Sequence, residues 1–378
     1  MPEKRYLVTP GPTPVPPEVT AAMAQPMLHH RGPAFAAVVE RVRGRLKEVF
    51  RTAGEVILLT ASGTSAMEAA VVNVCSPGDR VLVASAGHFG ERWAAIARAY
   101  GLDVVHLRYA WGESPSADEI AGRLREAGGA RAVYVTHSET STGVVSDVRT
   151  IAERLEGSGA LVCVDAVSSL GAVPLEADSW GLDVVVSGSQ KALMTPPGLA
   201  LLSVSPAVWS IAPSASLPRY SLDWTRVAGF GSTPAVSLVL GLDAALEMLL
   251  EEGLDAVFDR HVRLGRAARA GAKAMGLALF SPDDDRSAVV TAVRVPSGID
   301  GREIVRSMLD RSGVTVAGGQ GELAGKIVRV GHIGYIGVSD VVAVLEALEL
   351  ALAQAGADVK RGGVASAALA AYGERVPA

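Results

Sequence analysis

Residues 187–193, SGSQKAL, end an apolar run, LDVVV, with three small residues, an amide and one lysine, Lys191. A lysine leaving a buried strand is either a solvated loop charge or an amine held for chemistry, and the other strand ends bear on which. Asp165 directly follows the apolar run ALVCV, where a carboxylate is costly unless it is paired or hydrogen-bonded. After EVILLT come Ser62, Gly63 and Thr64, ahead of a helical stretch. Free N–H groups and the helix dipole at such a turn favour an anion, and hydroxyls add donors. The turn lacks the Gly-Lys-Ser/Thr of a nucleotide P-loop. After DRVLVAS, Phe89 stands in a Gly-flanked turn, AGHFGERW, where a ring can stack on a planar ligand. After RAVYVTH comes SETSTG, a cluster of donors and acceptors containing Thr140.

One chemistry uses every member of this set. Pyridoxal phosphate needs a phosphate cup, a flat stacking partner, an acid that keeps its ring nitrogen protonated, and a lysine for the Schiff base. Asp165 and Lys191 are 26 residues apart, room for one excursion and a return to a neighbouring strand end.

These residues are useful only if the strands carry them to one edge. From residue 55 to 188, short Val- and Leu-rich runs alternate with helical patterns. Continuous apolar strands are buried on both faces, and the alternation predicts a mostly parallel sheet covered by helices. Ligands of such sheets sit outside the carboxyl ends of the strands. Ahead of it, residues 34–51 read as an amphipathic helix, and the Pro/Gly-rich first 35 residues as extended and pinned, without regular helix. After residue 206 the alternation fades into one long helical stretch from SLVLGL to AGAKAM, then resumes as a smaller α/β unit. The division expected is a packing segment over 1–15, a large cofactor-binding domain over 16–265, a small domain over 266–356 and a tail over 357–378, loosely ordered or helical.

A chain of 378 residues, 49% hydrophobic, can bury such a core. A net charge of −5 gives no basic field for nucleic acid. Cys75 and Cys163 lie in apolar runs and read as small buried hydrophobes of a reducing compartment, not a disulfide or metal pair. No His/Cys/Asp spacing suggests a metal site. The first residues lack the apolar segment of a signal peptide and no stretch reads as a membrane span, so a cytoplasmic protein is expected.

The motifs TPGPTPVPPEV, ASGTSAMEAA, THSETSTGVV, VDAVSSLGAVPL, SGSQKALMTPPG and KIVRVGHIG, spread from Tyr6 to about residue 355, resemble those of the class V aminotransferases. Within that family the resemblance is to the alanine–glyoxylate and serine–pyruvate (serine–glyoxylate) group. It implies the aspartate-aminotransferase-like α/β fold, fold type I, and a homodimer with shared active sites. It implies Lys191 as the Schiff-base lysine and proton carrier, Asp165 as partner of the ring nitrogen, Phe89 and Val167 on the two ring faces, and Thr140 near the ring oxygen. Ser62, Gly63, Thr64 and Gln190 match the phosphate cup, and Arg329 with Gly11 the substrate site. Arg329 suits that role because its planar fork grips a carboxylate at two points. Phe230 and Thr233 match contacts made to the partner subunit's cofactor. Phe230 stands where the alanine–glyoxylate enzymes often carry Tyr, so one hydroxyl is missing there, and Ser232 offers a replacement.

The activity implied is transfer of an amino group from alanine or serine to glyoxylate or pyruvate in a ping-pong cycle. A broader aspartate or ureidoglycine donor range is the alternative, with Arg31 and Arg219 as candidate second clamps. A cysteine desulfurase needs a nucleophilic Cys in a mobile loop of the smaller domain, and both cysteines fall elsewhere. His29, His30 and His332 are expected to position groups and not to transfer protons.

Overall fold

The computed structural model describes residues 5–227, 233–281 and 287–374. Its centre is a seven-stranded sheet of β1 (Glu55–Thr60), β2 (Arg80–Ser85), β3 (Asp103–Arg108), β4 (Ala132–Thr136), β5 (Leu161–Asp165), β6 (Val184–Gly188) and β7 (Leu199–Val204). The strand order is β1-β7-β6-β5-β4-β2-β3, and only β7 runs against the rest. The six others therefore end on the same edge. Side chains alternate between two apolar layers: Val133 and Val135 of β4 join one core cluster, Ala132 and Tyr134 the other. This two-sided burial is why the strands read as unbroken apolar runs.

Four helices precede or connect these strands near the site: α1 (Pro17–Met23), α2 (Pro33–Phe50), α3 (Gly63–Val72) and α4 (His88–Ala99). The α1 helix corrects the expectation of an extended N-terminus. Proline at Pro17 occupies the first turn, where its missing N–H costs nothing, so Pro content alone does not forbid a helix. The long helical stretch is broken at Gly253 into α5 (Val236–Glu252) and α6 (Leu254–Ala274). A second, three-stranded antiparallel sheet contains β8 (Val290–Arg294) and β9 (Ile327–Gly331), and the tail carries a helix, Val364–Gly373. No helix among the described residues is long and apolar enough to cross a membrane.

The N-terminal segment ties the two sheets together. Tyr6–Leu7 pairs in parallel with Val314–Thr315, and Gly331 N–H at the end of β9 donates to the Val8 carbonyl at 2.9 Å. Thr13 then bonds the lysine segment, its N–H to the Gln190 carbonyl at 3.1 Å and its hydroxyl to that of Lys191 at 2.9 Å. Chain passage over β9 is so close that a Cβ on Gly331 would lie 2.1 Å from the Thr9 carbonyl oxygen. Gly331→Ala is accordingly expected to cost about 2–4 kcal/mol in urea unfolding, the range for steric insertion into fixed backbone. It should also speed proteolysis within residues 5–15.

Candidate active site

Three strand ends supply the charged and amide groups. Lys191 follows β6 by three residues and is almost fully buried, with its Nζ donating to the Pro10 carbonyl at 2.7 Å. Asp165 is the last residue of β5, also buried, and its Oδ1 accepts from Val167 N–H at 2.9 Å. At the end of β1, Ser62 caps α3 through its backbone only; its hydroxyl makes no cap bond and lies 3.5 Å from the Ser65 hydroxyl. Gly63 passes so near Val167 that a Cβ there would sit 2.8 Å from Val167 Cγ2. Ser62, Gly63, Thr64, Phe89, Ser138, Asp165, Val167, Ser168, Gln190 and Lys191 line one cavity, together with Met67 and Arg92.

The matching sequence-family model, aminotransferase class V, spans residues 5–332. The chain belongs to the class V aminotransferases. It is 43% identical to the small subunit of a soluble hydrogenase from Synechococcus over 94% of this chain and 95% of that one. It is 35% identical to a serine–glyoxylate aminotransferase of Methylorubrum extorquens, covering 97% and 96%. Ureidoglycine–glyoxylate aminotransferase from Bacillus subtilis superposes with a TM-score of 0.94 at 32% identity, covering 99% of each chain. The fold is that of the fold type I aminotransferases, and the cofactor of this family is pyridoxal 5′-phosphate.

The cavity offers what that cofactor requires. Its anion end has the N-terminus of α3, two hydroxyls and the Gln190 amide, which can donate to an anion through Nε2. The buried Gln190 Oε1 has no hydrogen-bond partner in the protein, and as an acceptor it calls for a donor, not for an anion. Burial and charge shape the two titrating groups. Desolvation pulls the Lys191 amine down to about 8, against Asp165 and helped by Arg329 and Arg92. Desolvation pushes Asp165 up to about 7, opposed by the Val167 N–H.

Several site residues of the class V pattern stand apart from this cavity. Thr140 is buried and does not line it; its carbonyl accepts from Arg329 Nη1 at 2.9 Å. Arg329, in β9, also donates through Nε to the Gly318 carbonyl at 2.8 Å, and burial lowers its guanidinium to about 10. Its Nη2 and second Nη1 hydrogen remain, the end-on pair that a carboxylate can take. Gly11 lies against the lysine: a Cβ there would be 2.3 Å from Nζ. Thr233 is exposed and does not line the cavity of its own chain, and Phe230 lies outside the described residues.

Phe89 corrects one expectation. It sits in the first turn of α4, not in a loop, because an acid from elsewhere caps that helix. Glu139 Oε2 accepts from Phe89 N–H at 2.9 Å and Gly90 N–H at 3.0 Å. Its Oε1 accepts from the Ser141 hydroxyl at 2.6 Å and Ser141 N–H at 3.1 Å. Burial pushes the Glu139 carboxyl up, and these four bonds oppose the shift. Ser138, from the SETSTG cluster, does line the cavity, whereas Arg92 and Ser168 carried no signal in the sequence. Neither candidate second clamp lines this cavity: Arg31 is exposed, and Arg219 Nη1 bonds the carbonyls of Val72, Ala215 and Leu217. His332 is buried between Thr291 and the Ala288 carbonyl and lowered to about 3, mainly by burial.

Asp165 ties stability to pH in the apoprotein. Its carboxyl titrates near 3.8 when unfolded and at about 7 when folded. Between those values the unfolded chain holds fewer protons, so stability falls as pH rises through the window. Asp165→Asn removes this loss. The variant's unfolding free energy should gain on the parent's from pH 4 to pH 7, by at most roughly 4 kcal/mol, in denaturant titrations of apoprotein at a series of pH values.

Proposed function

We propose that this chain is a transaminase that moves the amino group of alanine or serine to glyoxylate or pyruvate. The observation that carries the reading is the pairing of a buried, easily deprotonated Lys191 amine with the half-engaged guanidinium of Arg329. The serine–glyoxylate relative supports the choice of small donor.

Pyridoxal phosphate, when bound, supplies the electron sink and carries the amino group between the two half-reactions. Ser62, Gly63, Thr64 and Gln190 hold its phosphate, Phe89 and Val167 flank its ring, and Asp165 keeps a proton on the ring nitrogen. Thr140 belongs to the ring-oxygen side of the site. Arg329 grips the substrate α-carboxylate beside Gly11, which fixes the Cα–H bond before Lys191. Lys191 takes the Cα proton and returns it, a task suited to an amine titrating near neutrality. Neither thiol competes: Cys75, in the loop after α3, is raised to about 11 and Cys163, in β5, well above its ordinary value, both mainly by burial.

Phe230 and Thr233 serve the partner's site in a cytoplasmic homodimer. The chain divides at 1–15, 16–265, 266–356 and 357–378, with residue 265 inside α6 acting as a shared strut.

Borohydride treatment of holoprotein should fix the cofactor on Lys191, read by peptide mass. A half-reaction panel should show alanine or serine, followed by glyoxylate or pyruvate, as the fastest pair; faster reaction with aspartate would overturn the small-donor reading. Arg329→Lys loses the two-point grip and should raise KM for every carboxylate donor about 10- to 100-fold. An unchanged KM removes Arg329 from the clamp.

A further inference from the structure

We propose that Arg92 is the cation that balances the cofactor's phosphate and sets this protein's preference for the phosphorylated cofactor. The inference rests on the reading that the phosphate lies at Ser62, Gly63 and Thr64. Arg92 reaches that turn from α4: its Nη1 donates to Thr64 Oγ1 at 2.8 Å, and it lines the same cavity. Two further contacts hold the guanidinium. It lies over the Phe89 ring at 4.8 Å, and Nη2 is 3.3 Å from His88 Nε2. That nitrogen accepts only when the imidazole is neutral, the form that burial, Arg92 and Arg329 favour by lowering the His88 pKa.

Charge accounting points the same way. A phosphate at this turn brings close to two negative charges, and Ser62, Gly63, Thr64 and Gln190 are all neutral donors. Of the other cations near the cavity, Lys191 bonds the Pro10 carbonyl and is assigned to the Cα proton, and Arg329 is assigned to the substrate carboxylate. Among the described residues Arg92 makes no salt bridge, whereas Arg41 and Arg45, on α2, both pair with Asp243. A half-buried arginine that spends its bonds on a hydroxyl and a ring, and none on a carboxylate, keeps its charge for an anion. Its planar fork also suits phosphate better than a point charge does.

The test compares pyridoxal phosphate with pyridoxal. Dissociation constants are measured on apoprotein by absorbance or quenching of protein fluorescence, without reference to turnover. The parent should bind the phosphorylated form far more tightly. Arg92→Gln should weaken pyridoxal phosphate about 10- to 100-fold and leave pyridoxal within about twofold, the span for a charge-assisted hydrogen bond. Arg92→Lys should recover part of the loss, because it restores charge without the fork. Unchanged pyridoxal affinity also reports that the variant is folded.

Equal losses for both forms would overturn the proposal, since they would mean Arg92 acts only by steadying Phe89. A parent that does not discriminate the two forms would instead remove the phosphate from this turn, and the proposal with it.

Discussion

The Lys191 amine has left water to meet a single backbone carbonyl, that of Pro10. Desolvation of an ammonium is so expensive that the group responds by titrating lower, and here it falls to about 8. Asp165 meets the same difficulty from the acid side and rises to about 7. Opposite charges this near would ordinarily hold each other ionised. Burial outweighs that attraction at both groups, so each titrates near the pH of the cell instead of being held fully ionised.

The N-terminal segment takes part in that burial, lying directly against Lys191. Residues 8–13 run from the end of β9 across to the lysine, bonded at Gly331, Lys191 and Gln190. The two sheets thus share one closing strap, and the strap provides the lysine's only hydrogen-bond acceptor among the described residues. The TPGPTP stretch has few side chains with bulk or charge, which lets backbone approach backbone at β9 and lets the strap pass beside Nζ.

The strand ends were legible in the sequence because sheet topology makes them converge without regard to detail. Lys191, Asp165 and the Ser62–Thr64 turn each follow an apolar run, and the order of runs alone places them on one edge. The antiparallel strand β7 was not legible: LALLSV comes right after the lysine loop, with no helix between, and breaks the alternation that identified the others. Arg92 and Glu139 were hidden for a different reason. Their decisive contacts are to residues 28 and 50 positions away, and local pattern carries no signal for such pairings. The first turn of α4 looked like a loop because its cap is not in its own sequence.

That remote cap gives the segment after β4 a double duty. Glu139 fixes the first turn of α4 and so the Phe89 ring, while the adjacent Thr140 carbonyl fixes the Arg329 guanidinium. Two neighbouring residues therefore set the spacing between the Phe89 ring and the Arg329 guanidinium. A lone buried carboxylate is a liability, yet four donors surround Glu139 and hold its two oxygens in a fixed orientation. Arg329 adds a favourable charge from the far side, since Glu139 raises its pKa against burial. Proton transfer at Cα tolerates little error in the angle between the broken bond and the ring. A rigid polar network at a strand end, and not a loop side chain, is the kind of support that keeps such an angle.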